Sequence, residues 1–114
     1  MAIVRKIIFY GDYFRDFYLE QSPSVQEKID YIFKLVQEVE RVPTKFLDHI
    51  ADTDGLYEIR VRVGNDIFRI FCCFDEGMLV VLFNAFQKKT QKTPKGELKL
   101  ANKLKKEYFS SKGE

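Results

Sequence analysis

The chain has 114 residues, 46% of them hydrophobic, with eleven Phe, six Tyr and a formal net charge of +2, which suits one domain around one core and leaves no room for a second. Its start, MAIVRKIIFY, breaks the apolar residues with Arg5 and Lys6 and offers no small-residue cleavage site, and no stretch is long enough to span a bilayer, so neither a secretory signal nor a membrane span is expected. Adjacent Cys72 and Cys73 with a single His49 exclude a zinc or disulfide framework, and the expected setting is a reducing cytoplasm.

In chain order, Ile3 to Tyr10 alternates as a first strand that Gly11 and Asp12 end. Asp12 to Glu20 places Phe14, Phe17 and Tyr18 at helical spacing. A stronger helix follows, with Ser22 as its cap, Pro23 in its first turn and Val25, Ile29, Ile32, Val36 and Val39 on one stripe, ending at Val42-Pro43. Residues 44 to 55 read as a connection with some local order around Phe46, Leu47 and Ile50, closed by Asp54-Gly55. From Leu56 the period becomes two, with Tyr57, Ile59, Val61 and Val63 on one face and Glu58, Arg60 and Arg62 on the other. Gly64-Asn65 is a hairpin signal, Ile67 to Phe74 the next strand, Asp75-Glu76-Gly77 a turn, and Met78 to Phe86 an interior strand. Thr93-Pro94 opens a last helix with Leu100, Ala101, Leu104 and Tyr108 inward. The order is β-α-α-β-β-β-α, an α+β domain over residues 1 to 110, with 111 to 114 as a frayed tail.

Charge is distributed unevenly. Ala85 to Glu114 carries nine lysines against three glutamates, a net +6, so the other 84 residues carry −4. That asymmetry suits a polyanion at one end and a basic protein segment at the other. The run Val80 to Pro94 ends an apolar strand in Lys88, Lys89 and Lys92.

Pairing Val63 with Asp66 across the hairpin sets Arg60 directly opposite Arg69, an unfavourable juxtaposition that a phosphate bound between them would reverse. Strand arginines on a solvent face also pair with carboxylates, here Glu58 or one from the helices, and a lysine-rich helix is also what a solvated surface looks like. If Lys88 and Lys89 reach the level of Arg69, four cations ring one patch. For RNA cleavage by an internal 2′-hydroxyl, such cations stabilise charge on the non-bridging oxygens, while one proton must leave the 2′-hydroxyl and another reach the 5′-oxygen. His49 lacks a partner at catalytic spacing and reads as a surface or packing residue. A lysine base would need a pKa lowered by neighbouring cations. Phe86 reads either as a base-stacking or as a core residue.

Lys45-Phe46-Leu47, GLYEIR at 55 to 60, Phe68-Arg69-Ile70-Phe71, Phe83 to Phe86 and KKTQKTP at 88 to 94, then Ala101 and Tyr108, resemble the RelE/HigB-like toxins of type II toxin-antitoxin modules, in the phage-derived branch. The resemblance covers the C-terminal two-thirds. It implies a RelE-like fold with a central antiparallel sheet and a ribosome-dependent mRNA endoribonuclease (mRNA interferase) that needs neither metal nor other cofactor. It also implies a cognate antitoxin, often bearing a helix-turn-helix domain. Carried over by residue, Arg60, Arg69, Lys88 and Lys89 are the catalytic candidates. Arg62, Phe86, Gln87, Lys92 and Lys95 are the candidate RNA contacts, and Glu58 orients Arg60.

The chain departs from several relatives in having Asn84, Ala85, Phe86 and Gln87 where a proton-transferring His or Tyr stands. That departure keeps a non-enzymatic RNA- or antitoxin-binding remnant open, and a ParE-like toxin of the same fold that inhibits gyrase is the other alternative.

Overall fold

The structure, a computed structural model, describes residues 2–113. Its elements are β1 (Lys6–Phe9), α1 (Tyr13–Leu19), α2 (Pro23–Glu38), β2 (Leu47–His49), β3 (Tyr57–Val63), β4 (Asp66–Asp75), β5 (Leu79–Lys88) and α3 (Lys95–Ser111). They form a five-stranded mixed sheet in the order β1-β5-β4-β3-β2. β2 to β5 are antiparallel, as the hairpin signals require, whereas β1 lies parallel to β5. The α+β class and the element order agree with the sequence pattern, with β2 added inside the expected connection.

Alternation along the strands builds a core on each side of the sheet. On one side Val25, Ile29, Ile32 and Val36 of α2 and Phe14 of α1 pack on Ile59, Val61, Phe68, Ile70 and Cys72. Burying those four α2 side chains stabilises the fold by on the order of 8 kcal/mol before entropy is counted. On the other side Ala101 and Leu104 of α3 cover Phe71, Cys73, Val81 and Phe83. Cys72 and Cys73 thus face opposite cores. Burial pushes both thiols up, Cys73 to about 11, so neither is a nucleophile at neutral pH.

Two boundaries differ from the sequence reading for one reason. α2 ends at Glu38 rather than near Val42, and the first strand begins at Lys6 rather than Ile3. The Arg5 guanidinium donates to the carbonyls of Val36 (3.1 Å), Val39 (2.7 Å) and Glu40 (2.6 Å), while the backbone N–H groups of Val4 and Arg5 both donate to Gln37 O. Residues before Lys6 therefore satisfy the open C-terminal end of α2 instead of extending the sheet.

The end of the chain also differs. α3 continues to Ser111, and Lys112 Nζ donates to Asp75 Oδ2 at 2.5 Å beside the Tyr108 hydroxyl at 2.6 Å. The tail expected to fray from 111 is thus held at Lys112, and Glu114 lies outside the described residues. Among the described residues no helix is long and apolar enough to cross a membrane.

Candidate functional site

Gly64, at φ +60°, makes the tight turn after β3, and the pairing across it is Val63 with Asp66, Arg60 with Arg69 and Ile59 with Ile70. Gly at the first central position and a positive φ there alone fit a type II′ hairpin, whose twist matches the strands. The two arginines are therefore cross-strand neighbours, as the sequence arithmetic requires.

Glu58 decides how that pair is tolerated. Its carboxylate, on a side chain 10% exposed, accepts a hydrogen bond from Arg60 Nε at 2.9 Å and lies 3.5 Å from Arg69 Nε. The second contact is close enough for attraction but is not aligned as a hydrogen bond, and Arg69 Nε is sealed from solvent without an acceptor. Arg69 Nη1 donates to Phe68 O at 3.2 Å. Burial draws the Arg69 pKa down, with Glu58 opposing and Arg60 adding to the fall. Arg60 also lies 3.6 Å from Asp48. The carboxylate pairing expected as the alternative to phosphate contact is thus present, with one carboxylate, Glu58, beside both arginines.

β2 pairs only with Tyr57, Glu58 and Ile59, so the edge of β3 is open beyond Arg60. At that edge is a cleft of about 360 Å³, whose charged lining is Lys28 from α2, Lys45, Arg60, Arg62 and Arg69. Phe46, Ile32, Val61 and Ile67 complete it. Five cations and no carboxylate line this cleft. Such a surface in one concavity focuses a positive field on an anion.

An irregularity in β5 controls what stands beside the arginines. Leu82 pairs with Cys72 but Ala85 with Ile70, so Phe83 and Asn84 together oppose Phe71. This bulge reverses the facing of every later residue in β5. It places Phe86 beside Arg69 and Lys88 beside Ile67. Asn84, buried at the bulge, donates from Nδ2 to Glu97 O at 3.0 Å and Glu97 Oε1 at 2.9 Å, tying the first turn of α3 to the sheet.

The structure separates some residues that the sequence pattern groups together. Lys88 and Lys89 do not join the arginines in one ring. They line a second cleft of about 590 Å³ with Asn65, Asp66, Gln87 and Gln91, and the two clefts meet at Ile67. The reason is the register: Ile67, not Arg69, is opposite Lys88. Gln87 donates to Asp66 Oδ1 at 3.3 Å. Lys92 and Lys95 are exposed but line neither cleft.

Phe86, a candidate RNA contact, is 8% exposed and packs edge-on against Phe71 at 5.2 Å. It is a core residue, with no face free for a base. His49 is exposed on the edge strand against Tyr57.

Sequence reasoning gave no role to Lys28, Lys45, Phe46 or Asp48. Lys45 and Phe46 stand within the motif that carries the resemblance, while Lys28 carries no local signal and reaches the site only through the packing of α2.

A three-helix, five-strand α+β domain whose meander presents paired arginines is compatible with the RelE-like fold. The comparison of sequences agrees: residues 16–106 match the model of the family described as phage derived protein Gp49-like. The chain belongs to that family, which is associated with RelE-like toxins of toxin-antitoxin modules. No curated protein matches it at a significant level.

Proposed function

We propose that the chain is a RelE/HigB-like toxin that cleaves mRNA on the ribosome and is neutralised by a cognate antitoxin. The observation that carries the reading is the cross-strand pair Arg60 and Arg69 opening onto a cleft with five cations and no carboxylate. In the reaction the 2′-hydroxyl gives its proton to water or a ribosomal group as its oxygen attacks phosphorus, the bond to the 5′-oxygen breaks as that oxygen takes up a proton, and charge gathers meanwhile on the non-bridging oxygens. Arg60 and Arg69 hold that charge in a site already ordered by Glu58, so little reorganisation is needed as it develops. Lys88, in the adjoining cleft across Ile67, supplies positive charge near the strand, and the proton for the 5′-oxygen comes from it or from a ribosomal group.

The test is inducible expression with mapping of mRNA 5′ ends. Wild type should arrest growth and produce new ends within translated codons, and Arg69→Ala or Lys88→Ala with Lys89→Ala should relieve both while the protein stays folded. Arrest undiminished in those variants refutes the reading. Gyrase cleavage complexes with unchanged mRNA ends would replace it with a ParE-like one, and no phenotype at high expression with a non-enzymatic one.

A further inference from the structure

Phosphate binding uses only part of the cleft beside β3. Phe46 also lines it, half-buried, with one part of the ring packed on the α2-side core. Its backbone is fixed on both sides: its N–H donates to Pro43 O at 2.9 Å, and its carbonyl accepts from Arg60 N–H at 2.8 Å. Those two bonds fix the Phe46 backbone beside Arg60 of β3, and the ring lines the same cleft as the Arg60 side chain. The Lys45 ammonium stands over the ring, 4.9 Å from its centroid. That contact shields the ring from water and leaves a cation that is free to exchange an aromatic face for a phosphate.

Single-stranded RNA is held by this combination of parts: cations that follow the backbone and an aromatic face that takes an unstacked base. Phe86 cannot be that face, because it is core. We infer that Phe46 is the stacking platform for the base adjoining the phosphate held by Arg60 and Arg69, with Lys45 moving from the ring to the next phosphate as the base arrives. Lys28, on the α2 wall of the cleft, meets the same strand. The inference rests on the RNA-cleaving reading for its substrate, but its test does not depend on cleavage.

The probe is a short single-stranded RNA with 2-aminopurine at the stacking position and 2′-O-methyl at every ribose, which removes the attacking hydroxyl. Wild type should bind it and quench its fluorescence. Phe46→Leu, which keeps an apolar side chain against the core, should weaken binding about tenfold and abolish the quench. Phe46→Tyr should retain both, and Arg62→Ala should weaken binding while keeping the quench. Circular dichroism and melting confirm that each variant is folded. Equal affinity and equal quenching in Phe46→Leu overturn the inference, as does the absence of binding by wild type. Quenching that depends on Phe46 in a protein that leaves cellular mRNA intact would keep the platform and remove the nuclease reading.

Discussion

Replacing Glu58 with Gln keeps the shape of the site and removes the carboxylate between the two arginines. The hydrogen bond to Arg60 at 2.9 Å joins two charged groups, and because Arg60 is about a third exposed its loss costs about 1.5 kcal/mol, the low end for such bonds. Arg69 is 12% exposed and has Glu58 at 3.5 Å. Leaving that guanidinium without a countercharge, and opposite Arg60, costs about 1.5 kcal/mol more. The sum of about 3 kcal/mol lowers Tm by roughly 12 °C for a domain of this size. Bound phosphate should reverse part of that loss by mass action, so adding about 20 mM inorganic phosphate should raise Tm further in Glu58→Gln than in wild type. Thermal melts at low ionic strength, with and without phosphate and with chloride as the ionic-strength control, measure both effects. A fall of less than about 3 °C, or equal response to phosphate and chloride in both proteins, would refute the idea that the pair is an anion site held in check by Glu58.

Arg69→Ala should lower cleavage of ribosome-bound mRNA by about 100-fold or more, the scale of losing one preplaced donor at developing charge, read by primer extension against wild type. Arg5→Ala leaves the carbonyls of Val36, Val39 and Glu40 without their donor and should cost about 1–2 kcal/mol in chemical denaturation while RNA affinity is unchanged. At the other end of the molecule, hydrogen bonds from Lys112 and then Tyr108 hold the Asp75 carboxyl below the usual carboxylate range. A depressed carboxyl stabilises the fold above its unfolded pKa and loses that contribution as pH falls through the folded one, so Tm should drop below about pH 4. Asp75→Asn should have a lower Tm at neutral pH and a flatter acid limb. The alkaline limb has the opposite sign: Tyr108 is raised to about 12, mainly by its bond to Asp75, so stability present below pH 10 is lost as pH rises towards 12. Unchanged acid and alkaline limbs in Asp75→Asn would remove this anchor from the account.

Much of the fold was legible because local signals agreed with one another. Gly64-Asn65 and the alternation on both sides of it set the β3–β4 register to the residue, and the α2 stripe with Ser22 and Pro23 located the start of that helix. The shortening of the first strand was not legible, because it depends on Arg5 reaching carbonyls more than thirty residues away. β2 was missed for a related reason: three residues, Leu47–His49, form a strand only because β3 offers an edge. Missing it hid the salt bridge from Asp48 to Arg60 and the abrupt end of pairing that opens the cleft. The N-terminal deficit of charge likewise concealed Lys28, a local cation that α2 carries into the basic cleft.

The bulge in β5 bears most directly on the chemistry. An unbroken ladder with β4 would have turned Phe86 and Lys88 towards α1 and α2 and left the arginines beside a different pair of side chains. With the bulge, Phe86 fills the core next to Arg69 and Lys88 emerges on the far side of Ile67. The paired arginines and Lys88 are then divided by one apolar side chain, Ile67, which lines both clefts. Glu58 and Asp48 are both engaged by Arg60. On the RNA-cleaving reading proposed above, stabilisation of the phosphate belongs to the sheet arginines, and proton transfer to Lys88 or to groups of the ribosome around the bound strand. Single-turnover cleavage on ribosomes separates these. Lys88→Arg keeps the charge but cannot give up a proton, so a large fall in rate assigns the proton to Lys88, and an unchanged rate assigns it to the ribosome.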